Sequence, residues 1–291
     1  MMQTQNVTAL MDHRIRRVRY ITGRLLVHLV LFAGACLYLF PFVWMLSTSL
    51  KSPNEVMTNP PIWIPKVIMW QNYPDALNYF PFWTYLGNTL FIVVMNMMGV
   101  IFSSSLVGYA FARLRWPGKS FWFGVLIATM MLPGAVTMIP QFIMYRNFGW
   151  LNSYLPLIVP AYTGSAFNIF LLRQFFRTIP MDLSESAKID GCHEFRIFLQ
   201  IVLPLCAPAL ATVAIFSFMG SWNDFIGPLL YINEKMRYTL TFGLRTFQMQ
   251  NDAKWYLLMA ASIVVAVPTL IVFFTCQKYF IEGITLTGMK G

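Results

Sequence analysis

The sequence predicts an all-α, polytopic membrane protein with six transmembrane helices, and three observations carry that expectation. Hydrophobic residues make up 57% of the 291-residue chain and charged residues only 11%, against about 25% charged in an ordinary soluble domain. So few charges cannot solvate the surface of globular cores, and the same balance excludes intrinsic disorder. Six intervals contain no Asp, Glu, Lys or Arg: Arg24 to Lys51, Asp75 to Arg113, Lys119 to Arg146, Arg146 to Arg173, Arg196 to Asp224, and Lys254 to Lys278. Each exceeds the roughly 20 residues that a helix needs to cross a hydrocarbon core. No alternating apolar and polar pattern suggests a barrel, and an isolated strand in lipid would leave its backbone unpaired.

The predicted spans are 25–46, 84–110, 121–145, 154–173, 207–230 and 256–277. The first is too long for a signal-peptide core, and the apolar run continues through Ala33-Gly34-Ala35-Cys36 to Leu46, so it reads as an uncleaved helix. With the N-terminus inside, fourteen of the 21 Lys and Arg residues fall in inner segments, five of them in Arg14, Arg16, Arg17, Arg19 and Arg24. By the positive-inside rule both ends are cytoplasmic. The last outer loop holds Lys235, Arg237, Arg245 and Lys254, a departure that fits either an acidic contact outside or none. The chain therefore divides into a cytoplasmic tail, 1–24; a first helix, 25–46; an extracytoplasmic Pro/Trp-rich loop, 47–83; a core of five helices, 84–280; and a cytoplasmic tail, 281–291. Pro53, Pro60, Pro61, Pro65, Pro74 and Pro81 resist helix formation in the outer loop and suggest an ordered lid.

The net charge of +10 would suggest nucleic acid in a soluble protein, but here it orients the chain in lipid, and no nucleic-acid partner is expected. Cys36, Cys192, Cys206 and Cys276 form no CxxC pair and have no His at ligand spacing, so no metal and no disulfide is expected. Catalysis also lacks an apparatus: His28 is the one His within a span, and no HExxH or His/Asp/Ser set occurs. Pro117-Gly118-Lys119-Ser120 imitates the end of a phosphate-binding loop. Arg113 stands where that motif needs Gly, and the segment joins two membrane helices, so the chain carries no nucleotide site of its own. An ion-coupled carrier would bury ionisable residues in its spans. Asp224 is the sole candidate, and 16 residues from Pro208 place it about 24 Å along a helix, near the outer interface. It reads as an interfacial carboxylate beside Trp222 and Asn223, or as part of a pathway or outer gate.

The most informative stretch runs from Pro180 to Pro208. Asp182 can cap a short helix with Glu185 completing a capping-box-like pair, and Gly191 can end it in the left-handed conformation. A second short helix is expected from about Cys192 to Gln200, with Pro204 and Pro208 opening the next span. The product is a helix–glycine–helix bracket whose Leu183, Ala187, Ile189, Phe195 and Phe198 exceed the apolar content of a solvated loop and imply a partner.

Glu185-Ser186-Ala187, three residues, Gly191, nine residues, Ile201-x-Leu203-Pro204 resembles the EAA motif of bacterial ABC importer permeases, with Ser186 in place of Ala. Further segments resemble the carbohydrate-uptake, MalG-like permeases. These are Phe40-Pro41-Phe42-Val43-Trp44 with Ser49-Leu50-Lys51, Gly108-Tyr109-Ala110-Phe111-Ala112-Arg113, Trp222-Asn223-Asp224-Phe225, and the closing Tyr279 to Gly291.

The resemblance implies a type I importer (MetI-like) permease fold and a non-catalytic subunit in a bacterial cytoplasmic membrane. It implies four kinds of partner: a second homologous permease, two copies of an ABC ATPase that use ATP and Mg, an extracytoplasmic solute-binding protein, and a carbohydrate substrate. Glu185, Ser186, Ala187, Asp190, Gly191, Ile201, Leu203 and Pro204, within a coupling loop at 180–206, would engage the ATPase, and the tail from Glu282 would also reach it. Asn96, Asn168, Trp222, Asn223 and Asp224 are candidates for the substrate pathway, or equally for hydrogen bonds between helices. A related importer for glycerol phosphate or a polyamine is the nearest alternative, and an ion-coupled carrier or channel a more distant one.

Overall fold

The computed structural model describes the backbone of residues 2–248 and 254–288, and the side chains of 20–248 and 254–277. The described residues are helical throughout their regular structure, and fall into two compact units.

The first unit comprises residues 2–73 and 254–260. Helix α1 (Met2–Ser49) includes the first span, and its side chains from Leu25 to Leu46 are largely exposed and apolar, as suits a helix solvated by lipid. The loop after it is ordered, but it is not free of helix: α2 (Pro53–Val56) and α3 (Asn72–Asn78) form in it. Proline is compatible with a first turn, where its missing N–H would have no intrahelical acceptor. Asn72 Nδ2 donates to the carbonyls of Ser49 and Lys51, both at 2.9 Å, and Met69 N–H donates to Leu50 O at 2.9 Å. Trp63 lies edge-on to Trp44, with ring centroids 5.1 Å apart.

The second unit comprises residues 74–248 and 261–288, and is organised around α4 (Phe82–Arg113). The chain continues through α5 (Lys119–Thr129), α6 (Gly134–Asn147), α7 (Leu155–Ile158) and a 3₁₀ turn, Val159–Thr163, to α8 (Ala166–Thr178). The bracket follows as α9 (Met181–Ile189), α10 (Glu194–Ile197), a π-helical turn (Phe198–Val202) and α11 (Leu203–Leu205). Then come α12 (Ala207–Trp222), α13 (Ile226–Tyr231) and α14 (Leu240–Leu244), and α15 (Trp255–Gly288) runs through both units.

Helices α8 and α12 pack along α4 and enclose a core that includes Tyr109, Leu172, Phe176, Ile197, Val202 and Val213. Small residues on α4 permit the close approach, as in many membrane helix pairs. Gly99 faces the ring of Tyr162, Ser103 Oγ donates to Ala161 O at 2.9 Å, and a Cβ on Gly108 would stand 3.3 Å from that of Leu172.

Among the described residues, four runs are long and apolar enough to cross a membrane unbroken: Tyr20–Ser49, Phe82–Arg113, Leu155–Thr178 and Trp255–Gln277. Two more are bent pairs, Lys119–Thr129 with Gly134–Asn147 at 96° and Glu194–Leu205 with Ala207–Trp222 at 80°, so the count is six when each pair is one span. The expected continuous helix at 121–145 is therefore broken. Pro133, extended at ψ 135°, separates its halves and has no N–H to continue the ladder. The expected fifth span also stops early, at Trp222 rather than near 230. The Asp224 carboxylate accepts the Gly227 N–H at 3.0 Å and turns the chain before α13. Helix α15 continues past 277 to Gly288, and Met289–Gly291, the end of the expected tail, lie outside the described residues.

Candidate functional site

The bracket begins where α8 ends, and α4 fixes its start. Arg113, 7% exposed at the last turn of α4, donates from Nη2 to Ile179 O at 2.7 Å and from Nη1 to Pro180 O at 3.4 Å. Pro180, with φ −54° and ψ 138°, is consequently the N-cap of α9. The expected cap at Asp182 is not formed. Asp182 sits inside the first turn, where its carboxylate still opposes the positive end of the helix dipole.

Gly191 ends α9 as expected, with φ +81°. Its N–H donates to Lys188 O at 3.0 Å and that of Cys192 to Ala187 O at 2.9 Å, the paired bonds of a Schellman cap. The chain then re-enters helix at α10, capped by His193, whose Nδ1 accepts from Arg196 N–H at 3.4 Å. The expected second helix to Gln200 ends sooner as an α-helix and passes into the π turn, where Leu203 N–H donates to Phe198 O.

This geometry sorts the candidate residues by face. Glu185, Ser186, Asp190, Gly191 and Pro204 are exposed, Ile201 and Leu203 are half-buried, and Ala187 is buried. Of the apolar residues expected to await a partner, Leu183, Ile189 and Phe195 are exposed, with Ile189 at 87%. Ala187 and Phe198 instead point inward and belong to the core with Tyr109 and Phe176. Their burial corrects the sequence expectation: in the folded bracket both side chains join the cluster around Tyr109.

Sequence reasoning missed the polar contacts that hold the bracket. Glu194 Oε2 accepts from Tyr109 Oη at 2.8 Å, and its other carboxylate oxygen pairs with Lys188 of α9. Burial pushes the Glu194 carboxyl up, but the Lys188 ammonium and Tyr109 hydroxyl outweigh it, holding the group below the ordinary Glu range. The available signal was Tyr109 and Arg113 standing four residues apart on one helix, hence on one face. Lys119, in the phosphate-loop imitation, donates from Nζ to Leu114 O at 2.8 Å and so binds the end of α4.

The candidates toward the other end of α4 separate in the same way. Asn96 and Asp224 share a polar cavity of about 240 Å³ with Thr89, Ser221 and Thr239. Asn96 Nδ2 donates to Leu157 O at 2.9 Å, while the buried hydroxyl of Thr239 has no hydrogen-bond partner. Asn168, Trp222 and Asn223 do not line this cavity. Asn168 Nδ2 donates to Ser165 Oγ at 3.0 Å, and Asn223 Nδ2 to Met219 O at 2.9 Å. Trp222 is 2% exposed, with Nε1 donating to Val265 O at 3.2 Å, which ties α12 to α15.

A helical core with runs long and apolar enough to cross a membrane, and a capped bracket between two of them, defines the class as a polytopic membrane protein. Residues 104–285 match the family described as the binding-protein-dependent transport system inner membrane component, and the chain belongs to that family. It is 33% identical to the arabinooligosaccharides transport system permease protein AraQ of Halalkalibacterium halodurans, over 88% of this chain and 93% of the relative. It is likewise 33% identical to the diacetylchitobiose uptake system permease protein DasC of Streptomyces coelicolor, over 90% of this chain and 94% of that one. Its fold is similar to a chain in the crystal structure of a bacterial ABC transporter involved in the import of the acidic polysaccharide alginate, with a TM-score of 0.76, 25% identity, and coverage of 88% of this chain and 95% of that one. The expected MetI-like importer permease fold is therefore the fold of this chain.

Proposed function

We propose that this chain forms half of the translocation pathway of an ATP-driven importer for a carbohydrate, paired with a second, related permease. Its carbohydrate-transporting relatives support the substrate class. A solute-binding protein would deliver the sugar outside, and a neighbouring structure of the same fold was solved in complex with an alginate pentasaccharide-bound periplasmic protein. Two ATPase subunits would bind and hydrolyse Mg-ATP in the cytosol, where both termini of this chain would also lie. No cofactor is assigned to this chain, whose own work is mechanical.

The observation that carries the coupling role is the bracket's two-sidedness. Its inner face is built into the core, while Glu185, Ser186, Asp190 and Ile189 stand outward around a tight glycine turn. Glu185 would meet a basic residue in a groove of one ATPase, Gly191 would permit the bend, and Ala187, Ile201, Leu203 and Pro204 would hold the bracket's shape. Closure of the ATPase dimer would then draw the bracket and favour the outward-facing state, as a ligand with different affinities for two states must. Within the pathway, Asn96 and Asp224 are the candidates whose polar groups share a cavity. Asn168, Trp222 and Asn223 serve chiefly as structural hydrogen-bonding residues.

Purification from native membranes in mild detergent tests this reading. An ATPase and a second permease are expected to accompany the chain, and to be lost from the Glu185→Lys and Gly191→Val variants. Purification of the intact chain without an ATPase under several gentle conditions would overturn it. The ligand carried by the associated binding protein identifies the substrate, and a non-sugar ligand would overturn the carbohydrate assignment.

A further inference from the structure

Resting on the reading of the bracket as the element that receives the ATPase stroke, we propose that Tyr109 and Glu194 form a joint that makes the bracket and α4 move as one body. Tyr109 is a positioning residue in this scheme and touches neither nucleotide nor solute.

The placement of the polar groups carries the argument. Tyr109 and Arg113 lie one helical turn apart on α4 and hold opposite limbs of the bracket. Arg113 grips its start through the carbonyls of Ile179 and Pro180, and Tyr109 grips its second limb through Glu194. Glu194 in turn pairs with Lys188, at the end of the first limb, so the two limbs are tied to each other as well as to α4. A push on the exposed Glu185–Asp190 surface therefore reaches α4 by two routes at once.

The covalent route onward is bent. From α10 the chain passes through the π turn and then bends by 80° before α12. Pro204 and Pro208 near that bend supply no N–H to brace it. The hydroxyl–carboxylate contact bypasses the bend. Aromatic packing seats it: the Tyr109 ring lies 5.1 Å from that of Phe198 and 6.3 Å from that of Phe176. These ring contacts would survive loss of the hydroxyl, so Tyr109→Phe removes the joint while leaving the core filled.

The test uses the assembled complex, purified with its second permease and ATPases and reconstituted in nanodiscs. Nitroxide labels at Arg196, on the bracket's second limb, and Leu90, in the other half of α4, are both on exposed side chains. Their separation is measured by pulsed electron resonance without nucleotide and after trapping with Mg-ATP and vanadate. A joint predicts one narrow distance distribution, shifted by no more than about 2 Å on trapping. Tyr109→Phe and Glu194→Ala should each broaden it at least twofold or introduce a second distance, while leaving the amount of bound ATPase unchanged.

A wild-type distance that changes by more than about 2 Å on trapping would overturn the joint, and so would variants whose distributions match the wild type. Failure of the underlying reading looks different. If Glu185→Lys and Gly191→Val retain the ATPase in full, the bracket is not the docking element, whatever the distances show.

Discussion

The ammonium of Lys51 lies 4.0 Å from the centre of the Trp44 indole ring, with the lysine side chain wholly buried. Its Nζ has no hydrogen-bond partner, so the ring face is its nearest compensation. Burial pushes the Lys51 pKa down, and the Glu55 carboxylate partly opposes this. A desolvated cation–π contact is worth about 2 kcal/mol. Trp44→Leu should therefore cost more than Lys51→Met, which removes the charge along with its need for a partner. Thermal unfolding of the single and double variants in detergent measures the coupling, expected to be about 1–2 kcal/mol. A coupling near zero would mean that the ring serves only as apolar packing.

At Gly191 space is not the constraint, because a Cβ there would meet nothing within 4 Å. The constraint is φ +81°, which costs an ordinary L-residue roughly 1–2 kcal/mol. Gly191→Ala should raise hydrogen exchange in 181–192 by about fivefold to thirtyfold if that cost falls on local opening. Gly191→Asn should be the milder change, since Asn tolerates the left-handed region. Equal exchange in both variants would contradict the strain argument.

At Gly99 the constraint is reversed. A Cβ would come within 2.7 Å of two carbons of the Tyr162 ring and 3.0 Å of the Ala161 Cβ. Gly99→Ala should destabilise by about 1–3 kcal/mol, the usual range for overpacking. Tyr162→Ala in the same chain should recover most of the loss, as read by melting temperature. Failure of the second change to help would place the cost in the helix backbone instead.

Glu194 gives a pH dependence with a definite sign. Its folded-state pKa lies below the ordinary 4.5, so its contribution to stability is fully present above that value. The contribution is lost as pH falls through the lowered folded-state value. Wild-type melting temperature should therefore drop more between pH 6 and pH 3.5 than that of Glu194→Gln. Parallel drops would show that other carboxylates govern the acid limit.

Much of this architecture was legible because lipid imposes a crude and strong rule, the exclusion of charge over about 20 residues. Gly191 was legible for a similar reason: few residues other than glycine end a helix in the left-handed conformation. The start of α9 was not legible. Asp182 has the right chemistry for a cap, yet Pro180 takes the position because Arg113, 66 residues away from Ile179, claims the carbonyls there. The orientation of Ala187 and Phe198 was hidden by the same kind of distant contact. Glu194 passed unnoticed because a lone carboxylate on an inner loop looks solvated until Tyr109 is placed beside it.

The π turn at Phe198–Val202 turns chain length into a mechanical dimension. A π turn accommodates one residue more than the α-helical path that it interrupts. Inserting a further residue just after Phe198, in a turn that already holds its one extra residue, would rotate everything before it by about 100° relative to α12. Glu194 would swing away from Tyr109, and Phe198 would leave the core. The nine residues separating Gly191 from Ile201 thus act as a ruler. Substitutions along it can be gentle, while an added residue would disengage the bracket from α4.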